Sequence, residues 1–102
     1  MQEVDRNGYA PSILQEAADY PRCYLCMKSA GKIDRHEVFG ASNRGRSKSL
    51  GLWVNLCRSC HEGAHRNRET ALLLKRIGQK AAMECYGWDI ERFIAVFGKN
   101  YL

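Results

Sequence analysis

Residues 50–65, LGLWVNLCRSCHEGAH, join an apolar run to a pair of cysteines and a pair of histidines. The apolar run at residues 50–56 predicts a strand, and residues 58–65 are short enough for about two turns of helix. A strand that ends at Cys-x2-Cys and passes at once into His-x3-His can bring thiolates and imidazoles close together. This order predicts a metal-binding unit made from one strand and one helix.

A second Cys-x2-Cys pair lies upstream of the first strand. Cys23 and Cys26 precede Cys57 and Cys60, with thirty residues between the two pairs. Each pair can turn so that both sulfurs face one ion, and four thiolates form a closed tetrahedral site that suits zinc. Because such a site has no open coordination position, we predict a structural Zn²⁺.

The three histidines of the chain all fall within or beside this cysteine frame. His61 and His65 are four residues apart, so on a helix they share a face and can bind one cation together. His36 lies near the end of an earlier predicted strand, residues 33–39, and can join them. An alternative puts His61 in the zinc site in place of a cysteine, but four cysteines are available for that site. We therefore predict a separate imidazole site.

The remaining pattern predicts an α+β fold. Residues 33–39 alternate as a strand does, and residues 41–49 lack periodicity, so with residues 50–56 they predict a hairpin with a long basic loop. Residues 68–86 have apolar side chains at helical spacing, and a last helix would run from Asp89 to Gly98. Gly87 is the expected C-cap between these two helices.

Some finer expectations concern individual apolar residues. The first 21 residues are expected to contain one brief helix opened by Pro11 and Ser12. On the long helix apolar residues recur at helical spacing, at Leu73, Ile77 and Ala81 and at Leu74 and Ala82, with Met83 and Cys85. Phe93, Ile94 and Phe97 of the last helix are expected to face inward. Cys85, left over from the two cysteine pairs, is expected to be an ordinary core thiol.

Length and charge limit the class of protein. A chain of 102 residues is expected to form one domain, 1–102, small enough to gain from a metal. Lys and Arg total 16 against 11 Asp and Glu, and the formal net charge of +5 suits a polyanion such as DNA. The amino terminus lacks the pattern of a secretory signal, and no apolar run reaches membrane-spanning length, so we expect a cytoplasmic protein with no membrane partner.

The metal frame sits inside a longer pattern that covers most of the chain from about residue 13 onward. Its segments are Asp34-Arg35-His36-Glu37-Val38-Phe39-Gly40, Ser42-Asn43-Arg44 with Ser47, Gly51-Leu52-Trp53-Val54-Asn55-Leu56-Cys57-Arg58-Ser59-Cys60-His61, and His65. Together they resemble the HNH endonucleases of the ββα-metal superfamily. More narrowly, the pattern resembles small phage and prophage HNH proteins and the RecA-dependent nuclease family, whose endings are similar to Tyr86-Gly87-Trp88-Asp89 and Asn100-Tyr101-Leu102.

The resemblance implies a metal-dependent DNA endonuclease with a role in DNA processing or recombination. Residues 22–66 would form the zinc-stabilised ββα-metal core and residues 67–102 a helical extension. His36, Glu37, His61 and His65 would be catalytic, with the three histidines holding a divalent cation such as Mg²⁺, Mn²⁺, Ni²⁺ or Zn²⁺. DNA would be the partner, and a recombinase filament is implied only by the narrower resemblance.

The position of the general base stays open at this point. If Val38-Phe39 matches the apolar pair that follows the base in the family, His36 is a metal ligand and Glu37 the base. If His36 is the base, Arg35 occupies a ligand position, and a guanidinium cannot bind a cation. The middle Asn of the family has no clean match in Asn43 or Asn55.

Basic residues near the first strand and in the predicted loop are expected to contact DNA phosphates: Arg35, Arg44, Arg46 and Lys48. Basic residues on the long helix are expected to form a solvated face. The departures at Arg35 and Glu37 leave a second class of function, a zinc-stabilised DNA-binding or recombination-accessory module that does not cut DNA.

Overall fold

A computed structural model describes residues 3–102 of the chain. Over this range the chain forms a two-stranded antiparallel sheet and four α-helices, so it belongs to the predicted α+β class. The strands are β1, Ile33–Glu37, and β2, Trp53–Cys57; the helices are α1, Arg44–Ser49, α2, Arg58–Arg66, α3, Arg68–Tyr86, and α4, Ile90–Phe97. Short 3-10 turns occupy Ala17–Asp19 and Ala41–Asn43.

The pairing of β1 with β2 sets the position of everything that follows. Ile33 lies opposite Cys57, and His36 lies opposite Val54. Both strands were predicted, but β1 ends two residues before residue 39 and β2 begins three residues after residue 50. The backbone N–H of Val38 donates to the carbonyl of Leu52 at 3.0 Å, so the two chains stay hydrogen-bonded for one residue beyond the strands.

The prediction of a loop at residues 41–49 was wrong, since most of this segment is α1 and the 3-10 turn before it. A six-residue helix is too short to show a helical period, and its composition is typical of loops. Its position is maintained by Ser47, which is fully buried. The Ser47 hydroxyl donates to the carbonyl of Leu52 and accepts from the backbone N–H of Phe39 at 3.2 Å.

The brief helix expected near the amino terminus is only the 3-10 turn at Ala17–Asp19. The Ser12 hydroxyl accepts from the backbone N–H groups of Leu14 and Gln15, but that turn does not continue into a helix. Ile13 and Leu14 pack against the core as partly buried side chains. Tertiary packing, not a helical hydrogen-bond ladder, therefore secures this segment.

The two carboxy-terminal helices were predicted correctly in position and capping. Gly87 and Gly98 follow α3 and α4 in the left-handed conformation, and the Asp89 side chain caps α4 by accepting from the backbone N–H of Arg92. Both helices contribute to the buried cluster around the sheet, through Leu74, Ala82, Phe93 and Phe97. None of the helices within residues 3–102 combines the length and apolar character that a membrane span needs.

Two side chains that were expected in the core of these helices are exposed, and so is Leu73, one of the apolar residues at helical spacing. Leu73 is 51 % exposed, Ile94 is 39 % exposed, and Cys85 is also exposed. The buried residues of α3 are at positions 74, 78, 79 and 82, and position 73 points away from them, whereas Cys85 shares the face of Gly78 and Ala82 but lies in the last turn of the helix. An apolar side chain at helical spacing is therefore not enough to show that it is buried.

Gly51 lies in the link between α1 and β2, where a side chain would not fit. It adopts a φ of +73°, and a Cβ at this position would lie 2.3 Å from the carbonyl oxygen of Pro11. Gly51→Ala should therefore lower the free energy of unfolding by about 2 to 4 kcal/mol, from the left-handed backbone and the clash together. Urea unfolding followed by circular dichroism measures the change.

Gly31 is the matched control for Gly51. It has a similar φ of +80°, but a Cβ there would meet no atom within 4 Å. Gly31→Ala should cost only about 1 kcal/mol, from the backbone conformation alone. Equal losses in the two variants would contradict the close contact between Gly51 and the amino-terminal segment.

Candidate metal centres

The first cysteine pair lies on a tight backbone turn. The N–H of Cys23 donates to the carbonyl of Lys28, the N–H of Met27 donates back to the carbonyl of Cys23, both at 2.8 Å, and Met27 adopts a φ of 65°. The N–H of Tyr24 donates to the carbonyl of Asn55 at 2.7 Å. This last bond fastens the turn to β2 close to the second cysteine pair.

The four predicted zinc ligands form one cluster. The sulfurs of Cys23, Cys26, Cys57 and Cys60 all lie within 4.8 Å of one another. The Sγ atoms of Cys26 and Cys57 are 3.8 Å apart, close to the separation of about 3.8 Å that tetrahedral bonds of about 2.3 Å to zinc produce. All five cysteines of the chain are free of disulfide bonds. The cluster can hold a metal ion such as zinc.

The protein surroundings of this cluster favour thiolate at one position. Burial acts to raise the pKa of the Cys23 thiol, but the backbone N–H groups of Cys26, Cys57 and Leu25 point toward its sulfur and lower the pKa to about 6. Burial and the neighbouring sulfurs raise the pKa of Cys60. Four sulfurs this close together repel one another when they are deprotonated, and a divalent cation between them would offset that repulsion.

The three histidines form a second and separate cluster. The ligand nitrogens of His36, His61 and His65 lie within 4.8 Å of one another. The ring centroids of His61 and His65 are 4.9 Å apart, because residues four apart lie on one face of α2. His36 comes to them from β1, with its ring 5.2 Å from His61 and 5.4 Å from His65. The alternative that placed His61 among the cysteines does not fit this arrangement.

His36 is the buried member of the imidazole cluster, with 9 % of its surface exposed. Burial, together with the nearby His61 and His65, lowers the pKa of His36 to about 4. The ring is therefore neutral at pH 7, and a neutral imidazole is the form that binds a metal ion. The donor chemistry of the cluster thus suits a divalent cation.

Asp34 orients His61 from behind. Its Oδ2 lies 3.1 Å from the Nδ1 of His61, and this hydrogen bond lowers the pKa of the Asp34 carboxyl. Since Nδ1 is bonded to Asp34, Nε2 is the nitrogen of His61 that stays free to bind a metal ion. A carboxylate behind a histidine is a common support for metal-binding imidazoles, since it sets the ring orientation and the position of the ring proton. Arg58 lies 3.5 Å from the same oxygen.

A cavity of about 280 Å³ opens beside the imidazoles, and we call it the imidazole cavity. It is lined by Arg35, His36, Glu37, Gly40, Ala41, Arg44, His61 and His65. The Glu37 carboxylate is 9 % exposed and accepts hydrogen bonds from the Tyr9 hydroxyl, at 2.9 Å, and from Arg44. Glu37 is therefore fixed at the wall of the cavity and keeps lone pairs for a further donor.

The predicted DNA-binding residues divide into two groups. Arg35 and Arg44 line the imidazole cavity, whereas Arg46 and Lys48 lie outside its lining. Arg35 pairs with Asp5 at 2.9 Å and lies over the Tyr9 ring, with 4.4 Å from its Cζ to the ring centroid. The structure thus brings two of the four cations to the imidazoles.

Neither asparagine considered for the family's middle position reaches the imidazole cavity. Asn43 donates through Nδ2 to the carbonyl of Phe97 at 2.9 Å and so links the start of α1 to the end of α4. Asn55 is buried in β2 opposite Arg35. Both residues stabilise the scaffold around the cavity.

Two residues that support the site were not predicted from the sequence. Asp34 belongs to the quoted pattern but was given no role. Its signal was its spacing, because residues two apart on a strand share a face and Asp34 precedes His36 by two. Tyr9 could not be found from the sequence, because its contact with Glu37 spans 28 residues.

Comparison of the chain with profiles of known protein families, with curated proteins and with solved structures gives no match. The interpretation of the two centres therefore depends on their own chemistry.

The cysteine cluster leads to a test by metal content. Cys26→Ser should lose bound zinc and the cooperative thermal transition, because metal binding supplies folding free energy in small zinc domains. The purified parent chain should contain one zinc in this cluster, measured by mass spectrometry of the metal after dialysis against a weak chelator.

Cys85→Ser is the matched control, since Cys85 is exposed on α3 and lies apart from the cluster. It should keep both the zinc and the thermal transition. Retention of zinc by the Cys26 variant, with unchanged unfolding, would remove the cysteine cluster as a structural metal site.

Proposed function

We propose that this chain is an HNH-type, metal-dependent DNA endonuclease in which the cysteine cluster holds a structural zinc and the imidazole cluster holds a catalytic divalent cation. One observation carries the proposal: three imidazoles from β1 and α2 converge at a cavity that is also lined by a carboxylate and two arginines. Clustered metal ligands beside a potential general base and phosphate-binding cations are what phosphodiester hydrolysis requires.

The hairpin and helix explain why the two centres occur together. β2 ends at Cys57, α2 begins at the next residue, and Cys60 lies directly before His61. A zinc ion in the cysteine cluster would thus hold the start of the helix that presents His61 and His65. This division of work, with one metal for folding and one for chemistry, supports a ββα-metal arrangement of residues 33–66.

The reaction would use the residues at the cavity wall in separate roles. His36, His61 and His65 would hold the cation, which when bound would neutralise charge on the phosphodiester as its bond breaks. Glu37 is the favoured residue to accept the proton of the attacking water, because His36 is occupied as a ligand in this arrangement. Arg35 and Arg44 would contact the phosphate from the same cavity.

A second candidate function is a zinc-stabilised DNA-binding or recombination-accessory module without cleavage. The observation that favours it is the state of the two arginines, since Arg35 pairs with Asp5 and Arg44 pairs with Glu37. Such pairs must rearrange before either cation can engage a phosphate. A binding module would need zinc in the cysteines and would need no exchangeable ion at the imidazoles.

Cleavage of supercoiled plasmid tests the proposal. Protein stripped of its exchangeable metal should recover cleavage when Mg²⁺, Mn²⁺, Ni²⁺ or Zn²⁺ is restored. His61→Ala should reduce the rate by about a hundredfold or more at every ion, because a ligand of the catalytic cation is removed. Zinc content and circular dichroism, measured on the same samples, should match the parent.

Asp34→Asn provides a graded companion to this variant. It keeps the shape of the side chain behind His61 but removes its charge, so we expect about 10- to 100-fold more divalent ion to be needed for half-maximal cleavage.

Plasmid cutting by His61→Ala at the parental rate would exclude the imidazole site. Absence of cutting under every ion, with zinc bound and DNA retarded on a gel, would favour the binding module.

A separate comparison identifies the general base. If Glu37 accepts the proton, Glu37→Gln should lower the maximal cleavage rate by about a hundredfold while the required metal concentration stays unchanged. His36→Ala should instead raise the metal concentration that is needed. Parental rates in the Glu37 variant would remove Glu37 as the base.

A further inference from the structure

Basic side chains on α3 and in the carboxy-terminal tail, residues 98–102, surround a cavity away from the imidazoles. This tail cavity, as we call it, has a volume of about 310 Å³ and is lined by Arg68, Ala71, Leu72, Lys75, Lys99 and Tyr101. Three of its six lining residues are cations and none is acidic. The sequence alone suggested that the basic residues of α3 only form a solvated face.

The three cations of the tail cavity lack acidic partners. Among residues 3–102, none of the ion pairs involves Arg68, Lys75 or Lys99. Like charges held close together destabilise the folded state unless an anion joins them. Arg68 also lies in the first turn of α3, where the helix dipole disfavours a cation. Helix stability therefore does not explain its position.

The tail cavity is built from residues that are held in place. Tyr101 donates its backbone N–H to the Oε1 of Gln79 at 2.7 Å and accepts from the Nε of Arg76 at 2.9 Å. Gln79 is fully buried in α3. The ammonium groups of Lys75 and Lys99 each lie 5.5 Å from the centroid of the Tyr101 ring. The Tyr101 ring also packs against Phe39, with 5.6 Å between the ring centroids, so it links both lysines to the core.

A third cavity connects the tail cavity to the imidazoles. It has a volume of about 300 Å³ and shares Lys75 and Ala71 with the tail cavity. It also shares His36, Glu37 and His65 with the imidazole cavity. Because they share lining residues, the three openings lie next to one another on the protein surface, in order from the imidazoles past Lys75 to Arg68 and Lys99, and we call this row of openings the path.

We propose that the tail cavity binds the phosphates of a nucleic-acid strand that continues from the imidazole site. Cations without acidic partners suit phosphate oxygens, and three of them line this one cavity. The choice of nucleic acid as the occupant rests on the proposed nuclease function. The path gives the strand two anchoring regions, one at the cut and one on the tail.

The test compares two double variants of the full zinc-loaded chain. Arg68→Ala with Lys99→Ala removes two cations of the tail cavity. Lys80→Ala with Arg92→Ala removes the same charge from exposed positions on α3 and α4 that lie outside its lining. Fluorescence anisotropy of a labelled single-stranded oligonucleotide, checked on a gel for integrity, gives the dissociation constant over a range of salt concentrations.

In the variant of the tail cavity, the slope of log affinity against log salt concentration should become shallower by about 0.7 for each of the two removed phosphate contacts. At about 0.1 M salt this change corresponds to roughly 25-fold weaker binding than that of the parent. The control variant should bind nearly as the parent does. Equal losses in the two variants, or no loss in either, would overturn the proposal, because attraction would then depend on net charge or on other residues.

Two further outcomes keep this test separate from the nuclease assignment. The measurement records binding, so a protein that never cuts DNA can still confirm the strand path. Conversely, normal plasmid cleavage with no selective loss of binding would overturn the path and leave the nuclease proposal in place. Tighter binding of polyglutamate than of the oligonucleotide, lost in the same variant, would indicate an acidic protein as the occupant and would also overturn the proposal.

Discussion

The antiparallel pairing of β1 with β2 is the constraint on which both candidate metal centres depend. It sets Ile33 opposite Cys57, at the edge where β2 passes into α2, and so brings His36 into reach of the helix that carries His61 and His65. A slip of one residue in this register would turn His36 to the other face of the sheet. The five residues of β2 are all buried, and burial is what specifies the register.

The two centres differ in how the chain supports them. The cysteine cluster offers four sulfurs, and backbone N–H groups point at the sulfur of Cys23; a set of four thiolates suits a permanent ion. The imidazole cluster opens into a cavity, and its most exposed member is His65. An open cavity leaves room for a substrate oxygen and for water. The proposed division between a structural and a catalytic ion follows from this contrast.

Side chains far apart in the sequence complete the imidazole cavity. Tyr9 from the amino-terminal segment and Arg44 from α1 hold Glu37 between them, and Asp34 holds His61. Asn43 connects α1 to the end of α4, so the helical part of the chain also steadies the cavity wall. These contacts mean that the site depends on the whole fold, including segments that contribute no metal ligand.

The sequence by itself determined the α+β class, both cysteine pairs, the His61 and His65 pair and the caps of the last two helices, because each depends on local spacing along the chain. Only the tertiary structure decided that residues 44–49 are helical, that Cys85 is exposed and that Arg35 and Arg44 line the imidazole cavity while Arg46 and Lys48 do not. It also placed Arg68 and Lys99 around one cavity beside α3. These features arise from contacts between distant segments, and burial in a small domain, not local propensity, selects them.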